Sequence, residues 1–142
     1  MLISELLQEY YWLHDASIDS WNWAASDRLV LEIEVNMNQE DNTDHTDDFR
    51  EIILIFEDCT LVDKLNEGFS GFSSGYTSIY DATEVKESTS RIARQGIELA
   101  MEYRNHAEKD ERFVLVMIFF DEFSVIDPNR NRHPQQPSAT MR

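Results

Sequence analysis

Residues 12–37, WLHDASIDSWNWAASDRLVLEIEVNM, decide the fold. In positions 29–37 apolar side chains occupy every second place, and the residues between them are mostly polar. This period of two predicts a strand with one face on a core and the other in water. A shorter apolar run at 18–23 precedes it, and the small, polar residues 24–27 between the two runs predict a turn. The stretch therefore predicts a β-hairpin, and other elements must cover it because a lone hairpin is marginal in water.

The rest of the chain supplies those elements. Residues 2–11 have the apolar spacing of an amphipathic helix, which we expect to pack on the sheet. Residues 51–57, which are continuously apolar between Glu51 and Glu57, predict a strand buried on both faces. A second central strand is predicted from the most hydrophobic run, 113–120. Further strands are predicted at 76–86 and 123–126, and residues 58–66 suit either a turn of helix or a short strand.

Residues 88–105 have two interpretations. After Gly96, the apolar residues Ile97, Leu99, Met101 and Tyr103 alternate strictly with polar or small ones, which favours a strand. The alternative is one further helix over 88–105, because Ala, Leu, Met, Glu and Arg are good helix formers. Gly96 would interrupt that helix, so the strand is preferred.

Together these patterns predict an α+β domain over residues 1–127. It is predominantly antiparallel β-sheet, arranged as a sandwich or a partly open barrel, with an N-terminal helix. Residues 128–142 contain all three prolines and no acidic residue, and they predict a flexible C-terminal tail. The oligomeric state is open, since residues 113–120 suit either a sheet centre or a dimer seam.

The formal net charge is −16, from 28 acidic and 12 basic residues. Such a field repels phosphate backbones and anionic lipids and favours cationic partners, so we expect neither nucleic acid nor membrane as a partner. Acidity that serves solubility alone is the alternative. The single cysteine, Cys59, cannot form an internal disulfide, and the first residues lack the pattern of a signal peptide, so a cytoplasmic location is expected.

No enzyme signature, metal-ligand set or cofactor motif stands out. His14 and Asp15 form an adjacent pair, but the other histidines lie in polar segments, so we expect His14 to bond backbone where the helix enters the first strand. Cys59 follows Glu57 and Asp58, which disfavour a reactive thiolate. The acidic segment 38–48 lacks the glycine of a calcium-binding loop.

Three groups of residues are candidates for partner contact. The acidic segment is either a solvated connection or a row of carboxylates that docks Lys and Arg. The Gly/Ser/aromatic segment 68–76 either covers a sheet edge or binds a partner. The indoles of Trp21 and Trp23 share one face, which is either core or contact surface. The candidate partner-binding residues are Glu40, Asp41, Asp44, Asp47, Asp48, Trp21, Trp23, Phe69, Phe72 and Tyr76.

Several motifs resemble a known group of proteins. L-H-D-A-x-I at 13–18 is followed by D-R-L-V-L-E-I-E-V at 27–35 and I-I-L-I-F-E-D-C at 52–59. The order is similar to small bacterial proteins with a Leu-His-Asp-Ser-x-Ile opening, several of which are associated with toxin-immunity loci. The likeness covers about residues 10–60 and, more loosely, 113–126; Ala16 stands where the pattern has Ser. It implies a non-enzymatic, mostly β protein that neutralises a cognate toxin by binding it.

The resemblance and the charge favour the same function. An acidic immunity protein can occupy the nucleic-acid-binding surface of a basic, nuclease-type toxin, with electrostatically steered association. One alternative is a small-ligand-binding β-barrel whose aromatic residues line a cavity. Another is an enzyme that uses scattered carboxylates.

Overall fold

One short helix and eight strands make up the computed structural model over the residues that it describes, which are 2–37, 49–65, 76–87, 94–105, 107 and 109–128. The predicted mainly β fold with an N-terminal helix is confirmed. The bounds are α1 Ile3–Glu9, a single 3₁₀ turn Tyr11–Leu13, β1 Ser17–Ala25, β2 Arg28–Asn36, β3 Phe49–Glu57, β4 Thr60–Asp63, β5 Tyr76–Lys86, β6 Gln95–Asn105, β7 Asp110–Phe120 and β8 Glu122–Ile126.

The strands form one antiparallel sheet in the order β4-β7-β6-β5-β1-β2-β3-β8. The predicted hairpin is β1–β2, in which Trp21 lies opposite Leu31 and the strands meet at a turn of Ser26 and Asp27. Because Leu31 is fully buried, the face it shares with Trp21 is the core face.

Two bends tie the ends of this sheet together. The chain passes from β3 to β4 through Asp58 and Cys59, and from β7 to β8 through Asp121 alone. At one end of the strand order β3 pairs with β8, and at the other end β4 pairs with β7. Each of the two bent segments, β3–β4 and β7–β8, therefore contributes one strand to each end. In the middle, two residue pairs join β1 to β5 in the described strands. The sheet thus consists of two four-stranded halves, β4-β7-β6-β5 and β1-β2-β3-β8.

The core is built from the inward side chains of both halves. Ile33, Leu54, Ile79 and Ile118 are examples, each essentially without exposed surface. The helix adds Ile3, Leu6 and Leu7 to this core, and it contacts β5 and β6, as the sequence predicts.

A buried polar contact fixes the end of the helix. The Tyr10 hydroxyl donates a hydrogen bond of 2.6 Å to Asp127, and the Arg50 guanidinium lies 3.9 Å from the same carboxylate oxygen. Three distant chain segments therefore meet at one carboxylate that is shielded from water, where such contacts are strongest.

Two expectations from the sequence are corrected. Residues 95–105 form strand β6, so the alternative helix over 88–105 is wrong there; residues 88–93 lie outside the described part of the chain. The helix propensity of this segment is outweighed by the burial of apolar side chains, because a strand places Ile97, Leu99 and Met101 together in the core. Strand β3 is buried on one face only: Ile52, Leu54 and Phe56 are buried and the residues between them are not.

Among the described residues, none of the helical segments has the length and apolar character needed to cross a membrane.

Arg94 holds both bends. Its Nε lies 3.2 Å from an Asp121 carboxylate oxygen, and its terminal nitrogens donate hydrogen bonds to the hydroxyl of Thr60 and to the carbonyls of Asp58 and Phe119. One guanidinium thus donates hydrogen bonds to acceptors at both bends, where the backbone leaves the regular strand pairing. Its planar set of five donors suits this role.

We expect Arg94→Ala to lower the free energy of unfolding by about 2 kcal/mol, because carbonyls at both bends lose a charged donor. Arg94→Lys should recover only part of this, since one ammonium cannot reach both chains. Urea unfolding measures the loss. The matched control is Arg104→Ala, because the Arg104 side chain is 48% exposed against 24% for Arg94 and pairs with the exposed carboxylates of Glu102 and Glu111. Equal losses in the two alanine variants would contradict this role.

Gly96 is the second testable position. A Cβ added there would lie 2.6 Å from the Phe119 ring and 2.9 Å from the Ile118 carbonyl oxygen. Gly96→Ala should therefore destabilise the fold by about 1–3 kcal/mol. This is opposite to the usual effect, because alanine in the interior of a helix or strand is normally more stable than glycine. Thermal unfolding checks this, and a variant as stable as the parent would show that the contact yields without cost.

Candidate functional site

An apolar patch occupies the outward face of β2, β3 and β8. Ile55 lies opposite Val30 of β2, and Ile53 lies opposite Ile126 of β8. We call these four residues the β3 face. Val30, Ile53 and Ile55 are only partly buried, and Ile126 is 48% exposed. Directly opposed side chains on one face are neighbours, so the four form a contiguous apolar surface that this chain leaves partly open.

Carboxylates border the β3 face. Glu32 lies opposite Ile53, Glu34 opposite Glu51, and Glu57 opposite Glu122. Within this rim Arg28 pairs with Glu57 at 3.1 Å. An apolar centre with a polar rim is the usual anatomy of a protein interface, and the sign of this rim is negative.

Three carboxylates converge at one end of the rim. Asp19, in a bulge of β1, and Glu34 both hydrogen-bond to Glu51. Loss of hydration, together with the neighbouring charges of Asp19 and Glu34, raises the pKa of Glu51 from an ordinary 4.5 to about 7. The acidic segment 38–48 joins β2 to β3 at this same end, where Asn36 pairs with Phe49.

The predicted contact residues fall into three groups. Trp21 is only 8% exposed and belongs to the core, so its place in the predicted contact surface is corrected: it faces inward with the buried Leu31. Trp23 is partly buried against the same core, and Tyr76 begins β5. The remaining candidates, Glu40, Asp41, Asp44, Asp47, Asp48, Phe69 and Phe72, lie outside the described residues.

His14 has the predicted structural role. Its Nδ1 donates a hydrogen bond of 2.7 Å to the carbonyl of Tyr80, a residue that the β5–β6 register skips as a bulge. Backbone hydrogen bonds form at the same point: the Asp15 amide donates to the Ile79 carbonyl, and the Ile79 amide donates to the Ala16 carbonyl. The histidine therefore satisfies a carbonyl at the junction between the N-terminal turn and the sheet.

The described residues contain no group of three or more His, Cys, Asp or Glu side chains arranged to hold a metal ion. Cys59 is buried, and loss of hydration raises the pKa of its thiol, which disfavours the nucleophilic thiolate. An open cavity of about 180 Å³ lies at the β6–β7 hairpin, but there Arg104 is ion-paired with Glu111 at 3.2 Å.

The β3 face was not predicted from the sequence. The signal was present in Ile52–Ile55, because four consecutive apolar residues in a strand place two on each side. The pattern predicted burial on both sides, whereas the chain covers only one. Which side chains oppose Ile53 and Ile55 depends on strand pairing over long distances in sequence, which a local pattern does not contain.

Comparison with known proteins adds no assignment: the chain matches no family model, no curated protein and no solved structure.

The three carboxylates predict how stability depends on pH. The raised pKa means that folded Glu51 keeps a proton that the unfolded chain has lost between pH 4.5 and about 7. Its contribution to stability is thus complete below pH 4.5 and is lost as the pH rises through 7. Because Glu51 is exposed, solvent screening reduces this to about 1 kcal/mol or less.

We therefore expect Glu51→Gln to raise the free energy of unfolding at about pH 8 and to change it little at about pH 4, as measured by urea unfolding. The matched control is Glu32→Gln, on the same face of the same pair of strands but opposite Ile53 rather than a carboxylate. An equal gain in both variants would assign the effect to total charge instead of the local cluster.

Proposed function

We propose that this protein is an acidic binding protein of the immunity type, which neutralises a basic, nuclease-type toxin by direct protein–protein contact. The β3 face carries the proposal, because a half-open apolar surface with a rim of carboxylates has the composition of an interface for a cationic partner. The toxin-immunity resemblance at 13–59 supports the same assignment.

The charge distribution supports fast association. A net charge of −16 attracts a basic protein from a distance, and the local rim then orients it. In this mode the apolar side chains supply most of the affinity through desolvation, while the carboxylates govern the rate of encounter and the choice of partner. The segment 38–48, which connects β2 to β3, contains five further acidic residues and so adds to the negative charge of the chain.

The finer architecture that we infer is a sandwich whose two halves share bent strands at one corner, an arrangement known for orthogonally packed sheets. Phe56 of one half and Phe120 of the other lie with ring centroids 5.0 Å apart in the core. Filled interior positions of this kind favour a binding surface on the outside over a barrel that holds a small ligand. A toxin that acts on nucleic acid implies a cytoplasmic site of action for its inhibitor.

The test uses the product of the gene adjacent to this one in its genome, purified alone and mixed with this protein. We expect a tight complex by calorimetry whose Kd rises by tenfold or more between about 50 mM and about 500 mM NaCl, because exposed charges are screened at high salt. Ile55→Asp should weaken binding about tenfold or more, since it places a charge at the apolar centre.

Phe113→Asp is the matched control, because Phe113 is an exposed apolar residue on β7, away from the β3 face. Thermal unfolding of both variants verifies that each is folded. Absence of any complex, or equal weakening by the two aspartates, would refute the proposal in the first case and the location of the surface in the second.

A further inference from the structure

The turn between the helix and β1 has an unusual backbone. Tyr11, Trp12 and Leu13 have φ angles of 54°, 55° and 54°, and Asp15 follows at 60°. Left-handed backbone costs residues other than glycine roughly 1–2 kcal/mol each, and bulky side chains rarely adopt it. Here three consecutive large residues do so, which is a substantial local cost.

The surrounding contacts hold this turn in place. The Leu13 amide donates to Tyr10 and the His14 amide donates to Tyr11, at 2.9 and 3.0 Å. Tyr10 is fixed to Asp127, and Leu13 is fully buried. Burial therefore stabilises Tyr10 and Leu13, whereas Trp12 is 47% exposed. Strained residues that gain little from their own fold are concentrated at functional sites.

His14, two residues after Trp12, contacts two further exposed side chains, those of Tyr80 and Asp15. The His14 ring meets the Tyr80 ring edge-on, with centroids 6.1 Å apart, and Tyr80 is 60% exposed. The Asp15 carboxylate lies 3.6 Å from the other ring nitrogen of His14, and its side chain is also largely exposed. We call these four residues, Trp12, His14, Asp15 and Tyr80, the aromatic turn.

We propose that the aromatic turn is a second contact surface that receives an arginine side chain of a basic protein. Exposed aromatic faces attract a guanidinium, and an adjacent carboxylate complements its charge. The fold contains the same contact internally, where the Arg112 guanidinium carbon lies 5.6 Å from the centre of the Tyr103 ring. This inference rests on the proposed function in one respect, namely that the same basic partner supplies the arginine.

The experiment does not need that partner. The probe is N-acetyl-arginine methylamide, titrated into the full-length protein while the three tryptophan indole N–H signals are followed by NMR. Trp12→Phe assigns one signal. We expect the arginine probe to shift the Trp12 signal in a concentration-dependent manner and to leave the signal of buried Trp21 unmoved. The citrulline analogue, which has the same shape without the charge, should shift neither signal.

Asp15→Asn and Tyr80→Leu should each weaken the fitted affinity about two- to fivefold, the size expected of one exposed cation–π or charge contact. Phe113→Leu, which alters an exposed aromatic residue elsewhere, should leave it unchanged. Dispersion of the amide signals shows that each variant is folded. The inference is overturned if the Trp12 signal does not move, if citrulline moves it equally, or if both turn variants bind the probe as the parent does. None of these outcomes bears on complex formation with the neighbouring gene product, so the two proposals fail independently.

Discussion

The guanidinium of Arg94 lies where two segments of the chain, β3–β4 and β7–β8, bend from one half of the sheet into the other. Asp58, the first residue of one bend, has a φ of 50°, which a non-glycine residue adopts only when its surroundings compensate. Arg94 supplies that compensation by donating hydrogen bonds to the carbonyls of Asp58 and Phe119 and by pairing with the Asp121 carboxylate. Without these bends β3 could not pair with β8 while β4 pairs with β7. The facing of the two halves, and the core between them, follow from this corner.

The same corner creates the candidate interface. By carrying β8 alongside β3, the second bend places Ile126 opposite Ile53 and turns scattered outward side chains into one surface. A strand that is apolar on both faces normally lies between two layers. Here the layer inside is the protein's own core, and the outer face is only partly covered. In the function that we propose, a partner's surface supplies the second layer, and the carboxylates on the rim favour a cationic partner.

Two local features of the chain are energetically unfavourable, one in its electrostatics and one in its backbone conformation. The Asp19–Glu34–Glu51 cluster places like charges in hydrogen-bond contact, and the turn at Tyr11–Leu13 places bulky residues in left-handed backbone. Both carry a local cost in free energy. Local conflict of this kind is expected at sites selected for binding rather than for folding. The cluster borders the β3 face, and the turn carries an exposed indole, so each conflict coincides with a proposed contact surface.

The sequence by itself determined the mainly β class of the fold and the type of several of its elements. Alternation in β2, the continuous apolar run in β3 and the amphipathic spacing of α1 are local patterns, and each strand or helix they predict is present. The role of His14 was also predictable, because a polar ring at a helix-to-strand junction has backbone groups to satisfy. Tertiary structure alone decided the pairing of β3 with β8, the burial of Trp21 and the open face at Ile55. These depend on which distant segments meet and on which side of a strand they cover, and period-two patterning fixes the faces of a strand without assigning a partner to either.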